Sequence, residues 1–152
     1  MLSVFEAGRL ILRLSGGWLY PLFALHFAAD AGRRSLFAAS DLVSCEDTKI
    51  GQGAVFLYTA LGISSAGGIL VSRLAADKAR HFGIGLSAAE WTASIECRTE
   101  ELLAPVDELS RGIELLEARI KDEFRRAPGE FVEILEMDRE HPVSRVAAVL
   151  EG

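Results

Sequence analysis

The chain has 152 residues, 50% of them hydrophobic and 25% charged, with a formal net charge of -6. That apolar content excludes a disordered chain, which could not offset its lost entropy by burial. Two cysteines are too few for a disulfide framework, and the acidic balance argues against a nucleic-acid binder, which needs a basic face for phosphates.

Charge divides the chain. Residues 1–87 carry six acidic and eight basic side chains, a net of +2, whereas residues 88–152 carry sixteen and eight, a net of -8. We read a single helical domain over 1–152, with an apolar core-forming part (1–87) and an acidic helical arm (88–152). The first 13 residues contain Glu6, Arg9 and Arg13 and no cleavage-site pattern, so they do not read as a secretory signal. Cys45 and Cys97 are therefore expected to be reduced thiols in a cytoplasmic protein.

In chain order, Glu6, Arg9 and Arg13 stand three and four apart, a spacing that predicts a helix over 4–14. Ser15-Gly16-Gly17 breaks it, and a nearly all-apolar helix follows over 18–31 with Pro21 in its first turn. Residues 35–45 suggest a short helix and 46–53 a polar loop.

Residues 50–72 are 23 consecutive positions without a formal charge. The favoured expectation is a Gly/Ser-rich central helix buried on all sides, with Gly62, Ala66, Gly67 and Gly68 letting neighbouring helices approach. On that reading, replacing Gly67 by Leu overpacks a close contact. Two alternatives are a membrane span, for which the length suffices, and a strand over 54–63 followed by a turn and a helix. An amphipathic helix then runs over 70–82 to Gly83.

Ser87-Ala88-Ala89-Glu90 matches a capping box and opens a long helical pattern over 88–126, with a break or kink at Pro105. Within it Leu102, Val106, Leu109, Ile113, Leu116 and Ile120 alternate four and three apart, an a/d row with β-branched residues at a and Leu at d. Leu103, Leu115 and Phe124 form a second row beside the first. One helix cannot bury both against a single neighbour, so the row is the expected interface of a homo-oligomer or protein partner. Residues 130–137 carry no clear pattern, and Pro142 begins a last helix with His141 at its cap.

No constellation for catalysis is visible, so enzymatic activity is left open. The three His stand at 26, 81 and 141, too far apart for a local metal site, and no cofactor is expected. His81, ending a helix before Gly83, is the weak candidate for a cofactor ligand, as a lone haem-iron ligand. His26 reads as a core histidine, Cys45 is disfavoured as a thiolate by Glu46 and Asp47, and Cys97 reads as a small apolar residue. The run Tyr58-Thr59-Ala60-Leu61-Gly62-Ile63-Ser64-Ser65-Ala66-Gly67-Gly68 resembles the glycine-rich distal helix of haem oxygenases. That family places its proximal His several helices upstream, whereas His26 stands only 36 residues before Gly62, so no site residue is carried over.

The sequence therefore predicts a mainly α-helical bundle that acts as a non-enzymatic interaction or assembly subunit through helix packing and self-association. The alternatives are a small membrane-embedded protein spanning at 50–72 and a haem or small apolar ligand carrier.

Overall fold

The computed structural model describes residues 1–32, 35–37, 42–95 and 98–152. Its centre is a six-stranded mixed sheet, not a helical bundle. Strands β1 (Leu2–Glu6) and β2 (Arg9–Gly16) form a hairpin closed by Ala7 and Gly8, at φ 51° and 81°. Two successive left-handed residues are what a type I′ turn requires, and that turn matches the twist of the strands it joins. The charges at 6, 9 and 13 therefore mark a hairpin, and the helix expected over 4–14 does not form.

After the hairpin come α1 (Tyr20–Gly32), β3 (Val43–Ile50), α2 (Gln52–Leu61), β4 (Ser65–Ser72), α3 (Arg73–Phe82) and β5 (Gly85–Thr92). The sheet order is β5-β4-β3-β1-β2-β6, where β6 is Val132–Met137. Strands β3, β4 and β5 pair in parallel through the crossovers α2 and α3, while β1 is antiparallel to both β2 and β3. Consequently β2, β3, β4 and β5 all point the same way, and their carboxyl ends share one end of the sheet.

The uncharged run 50–72 is neither one helix nor a span: it is the end of β3, then α2, a turn, and β4. Among the described residues no helix is long and apolar enough to cross a membrane. Helical structure is confined to α2, which is buried from Gln52 to Tyr58 and again at Leu61. Gly62 ends it at φ 81°. The glycines beyond belong to a strand. A Cβ on Gly68 would lie 2.7 Å from Val71 Cγ2 and 3.0 Å from Ile50 Cδ1, whereas one on Gly67 would meet only Ser87 Oγ, at 3.0 Å. Gly67 thus makes no helix–helix contact, and the overpacking expected of a Leu there loses its basis.

The long helix expected over 88–126 is replaced by β5, α4 (Arg98–Leu103), α5 (Leu109–Glu117) and α6 (Asp122–Arg126). The apparent capping box lies inside β5, where parallel pairing with β4 overrides the local signal. Pro105 does interrupt the pattern, between α4 and α5. The coiled-coil-like row is accordingly split among short elements. Leu116 and Ile120 are buried in this chain's own core, with Val106, Leu109 and Ile113 packed half-buried against it and Leu102 half-buried. Leu103 and Phe124 of the second row are fully buried. Gly112 earns its place in α5 by proximity: a Cβ there would stand 2.1 Å from Phe56 Cε1 of α2.

The chain closes with a 3-10 turn (Pro142–Arg145) and α7 (Val146–Glu151). His141 caps them, its Nδ1 accepting the Val143 N–H at 2.9 Å. On the parallel half of the sheet, alternate positions such as Ser44, Glu46, Gly67, Ile69, Ser87 and Ala89 are half-buried or exposed. Parallel strands covered on both faces read as continuous Val/Ile/Leu runs. The Ser-Ala-Gly-Gly start of β4 reflects a sheet covered on one face there.

Candidate functional site

In open α/β sheets, ligands sit outside the carboxyl ends of the strands. Here β1 runs the other way between β2 and β3, so Met1, just before its start, lies between their carboxyl ends and joins the lining there. A crevice of about 340 Å³ opens at that place. One wall comes from Gly16, Trp18 and Leu19, where β2 passes into α1. The opposite wall comes from Asp47, Thr48 and Lys49 of β3 with Gly51, Gly53 and Ala54 at the start of α2. Ile95, Thr99 and Glu100 complete it from beyond β5.

Glycine lets these walls approach. A Cβ on Gly16 would lie 2.7 Å from the Phe131 carbonyl oxygen, on Gly51 2.7 Å from Glu100 Oε1, and on Gly53 2.7 Å from Leu19 Cδ1. Any larger residue at Gly16 would strike backbone, which cannot rotate away.

Glu100 is only 3% exposed. Its Oε1 accepts the Gln52 backbone N–H at 2.6 Å, while Gln52 Nε2 donates back to the Glu100 carbonyl at 2.7 Å. This reciprocal pair fastens α4 to the N-terminus of α2 and sets a carboxylate against the positive end of that helix, an arrangement worth up to about 2 kcal/mol when partly buried. Glu100 Oε2 is buried and has no hydrogen-bond partner among the described residues.

Asp47 faces the same crevice from β3. Its Oδ1 accepts the Thr48 N–H at 2.8 Å, and Tyr58 of α2 donates its hydroxyl to Oδ2 at 3.3 Å. Burial raises the Asp47 carboxyl to about 6, against the lowering effects of the Thr48 N–H, the Met1 ammonium and the Tyr58 hydroxyl. Burial also pushes the neighbouring Cys45 thiol and the Tyr58 hydroxyl up, so both stay protonated near neutrality. For Cys45 burial is the larger cause, ahead of the Asp47 carboxylate beside it.

Trp18 holds a backbone φ of 47° and is 39% exposed. Its ring meets Tyr20 edge-on at 5.2 Å and lies 5.7 Å from Phe23. An L residue in the left-handed region costs on the order of 1 kcal/mol, and such strain concentrates at functional sites.

The residues singled out from the sequence lie elsewhere. His81 sits exposed at the end of α3, with Nε2 2.8 Å from the Asp107 carbonyl oxygen, and does not line the crevice. His26 is a mostly buried histidine on α1, 3.0 Å from Glu117 Oε1. Cys97 lies outside the described residues. Among the described residues, no group of three or more His, Cys, Asp or Glu is placed to hold a metal ion. Sequence reasoning missed Trp18, Asp47 and Glu100. The available signal was glycine punctuation, Gly16-Gly17 and Gly51-Gln52-Gly53, each directly before an apolar helix.

No family model matches the sequence, and no curated protein matches it. Among solved structures the chain is similar to a DUF1893 family protein from Thermotoga maritima, at 16% identity and a TM-score of 0.63. The match covers 78% of this chain and 80% of that one. At this identity the likeness shows the fold alone.

Proposed function

We propose that the chain is a small-molecule-binding α/β protein whose ligand occupies the crevice between the carboxyl ends of β2 and β3. One juxtaposition carries the reading: a strained, part-exposed Trp18 shares a crevice with the buried Glu100, whose second carboxylate oxygen has no partner among the described residues. Stored strain and an unsatisfied buried polar atom each cost stability, and ligand-binding sites are where such costs persist. The apolar surfaces of Leu19, Ala54 and Ile95 supply the packing that small-molecule sites need.

The test is a two-dimensional amide NMR titration with a library of small polar metabolites. Binding moves the amides of Trp18, Leu19, Thr48, Gln52 and Gly53 together, because these residues surround one crevice. Trp18→Gly removes the ring and relieves the left-handed backbone, so it weakens binding while the fold persists. Ligand-induced shifts that cluster on the β5 edge or around α7, leaving the crevice amides still, would refute the reading.

A further inference from the structure

The geometry points to a ligand that carries a protonated primary amine, with its ammonium held by Glu100. This assignment rests on the crevice being a ligand site, and it chooses between a cationic and an anionic occupant. Anions commonly bind at helix N-termini through free backbone N–H groups. At both helix ends here the first N–H is already engaged, and the Gly53 and Ala54 N–H groups that follow in α2 lie beside Glu100 in the same lining. In α2 the Gln52 N–H donates to Glu100 Oε1 at 2.6 Å. In α1 the Tyr20 N–H donates to the Gly17 carbonyl at 3.2 Å, and Pro21 has none to give. An incoming carboxylate or phosphate would have to expel Glu100, or bind against its like charge.

The unspent capacity is for accepting. A carboxylate offers about four lone-pair sites, and among the described residues only Oε1 of Glu100 is engaged. The terminal carboxylate torsion of Glu is broad, so one oxygen turns to the ligand while the other holds Gln52. Asp47 adds a second carboxylate to the same lining; of the cations there, Lys49 is exposed to solvent and the Met1 ammonium already donates to Thr48 Oγ1 at 3.2 Å. The part-exposed Trp18 offers a ring face, the surface over which an ammonium group gains further attraction. A crevice of about 340 Å³ suits a small amine with an apolar body against Ala54 and Ile95.

Three probes with the same ring separate the possibilities: benzylamine, protonated at neutral pH, benzyl alcohol, and benzoate. Each is titrated into the full chain while the Gln52 and Gly53 amides and the Trp18 indole N–H are followed by NMR. Benzylamine is expected to saturate those shifts about tenfold more tightly than benzyl alcohol, the scale of one charged hydrogen bond. Benzoate is expected to leave them unmoved. Glu100→Gln should remove the preference for benzylamine without weakening benzyl alcohol, and its amide spectrum reports whether it folds. Should that variant unfold, the ranking of the three probes on the wild type decides the matter unaided. Equal binding of amine and alcohol, or tighter binding of benzoate, overturns the amine assignment and leaves the crevice reading standing. If no probe moves the crevice amides, the amine assignment falls, and the metabolite titration decides the crevice separately.

Discussion

Gly112→Ala sets helix propensity against packing at one position. Alanine in a helix interior is worth about 1 kcal/mol over glycine, and by that rule alone the variant should be more stable. The structure says the reverse. The new Cβ would stand 2.1 Å from Phe56 Cε1 and 2.2 Å from Cδ1. Ordinary carbon contacts begin near 3.5 Å, so the ring must retreat by about 1.5 Å. Phe56 is fully buried, packed edge-on against Phe82 at 5.0 Å and lying 5.9 Å from Lys78 Nζ. Overpacking of this kind costs about 1–3 kcal/mol, and a disturbed aromatic pair up to about 1.5 more. After the propensity gain, a net destabilisation of about 2 kcal/mol is expected. Urea unfolding followed by far-ultraviolet circular dichroism reads this as a lower midpoint at unchanged slope. Adding Phe56→Leu should recover part of the loss, because the two positions are coupled through one contact. A raised midpoint for Gly112→Ala alone would show that α5 does not press on α2 as described.

Asp47→Asn should flatten part of the pH dependence of stability. With the folded carboxyl raised to about 6 from an ordinary 3.8, the protonated native form is favoured, so its contribution is full below the ordinary value and lost as pH rises through 6. The variant's advantage should grow from about pH 4 to 6 towards about 3 kcal/mol, then hold, and a constant difference across that window would refute it. Lys78 is 6% exposed and its Nζ donates to the Ala104 and Val106 carbonyls, so Lys78→Met should cost about 3 kcal/mol in chemical denaturation. A loss under about 0.5 kcal/mol would show that this tie between α3 and the α4–α5 link is idle. Leu116→Glu places a charge at a fully buried position and should abolish the cooperative thermal transition, whereas Leu109→Glu, at a half-buried position, should keep it. Leu116→Glu melting like the wild type would contradict the core placement.

Where a structural signal is local, the sequence displayed it. Pro21 in the first turn of α1, the break at Pro105, the Gly83 end of α3 and the His141 cap each depend on neighbours within a turn of chain. The sheet was hidden for three separable reasons. In the hairpin, charges at 6, 9 and 13 fell by chance at helical spacing, while the turn rested on Ala7, a residue that seldom adopts positive φ. In β4, glycines depress strand propensity, yet Gly68 is required there because Val71 and Ile50 occupy the space a side chain would need. In β5, Ser-Ala-Ala-Glu is a sound local cue for a helix, overridden by pairing with β4. The heptad row misled because Leu116, Ile120 and the rest reach one core from separate short elements, so their regular spacing reflects no single stripe. The crevice was less legible still. Trp18, Asp47 and Glu100 belong to three distant segments that meet only once β2 and β3 flank β1.

The place of β6 in the sheet has a consequence for how the molecule is made. The β1–β2 hairpin closes over two residues and is available as soon as the first strands emerge. Its outer neighbour comes last: Arg13 of β2 is bonded to Glu136 of β6 across 123 residues of chain. During synthesis, therefore, β2 stands as an open edge carrying the apolar Leu10, Leu12 and Leu14 until β6, at Val132–Met137, has been released. Non-local pairing of this kind slows folding, and an unpaired apolar edge is where nascent chains associate wrongly. Chains that stop before residue 132 should accumulate in inclusion bodies, since they hold β1 to β5 and lack the strand that seals the edge.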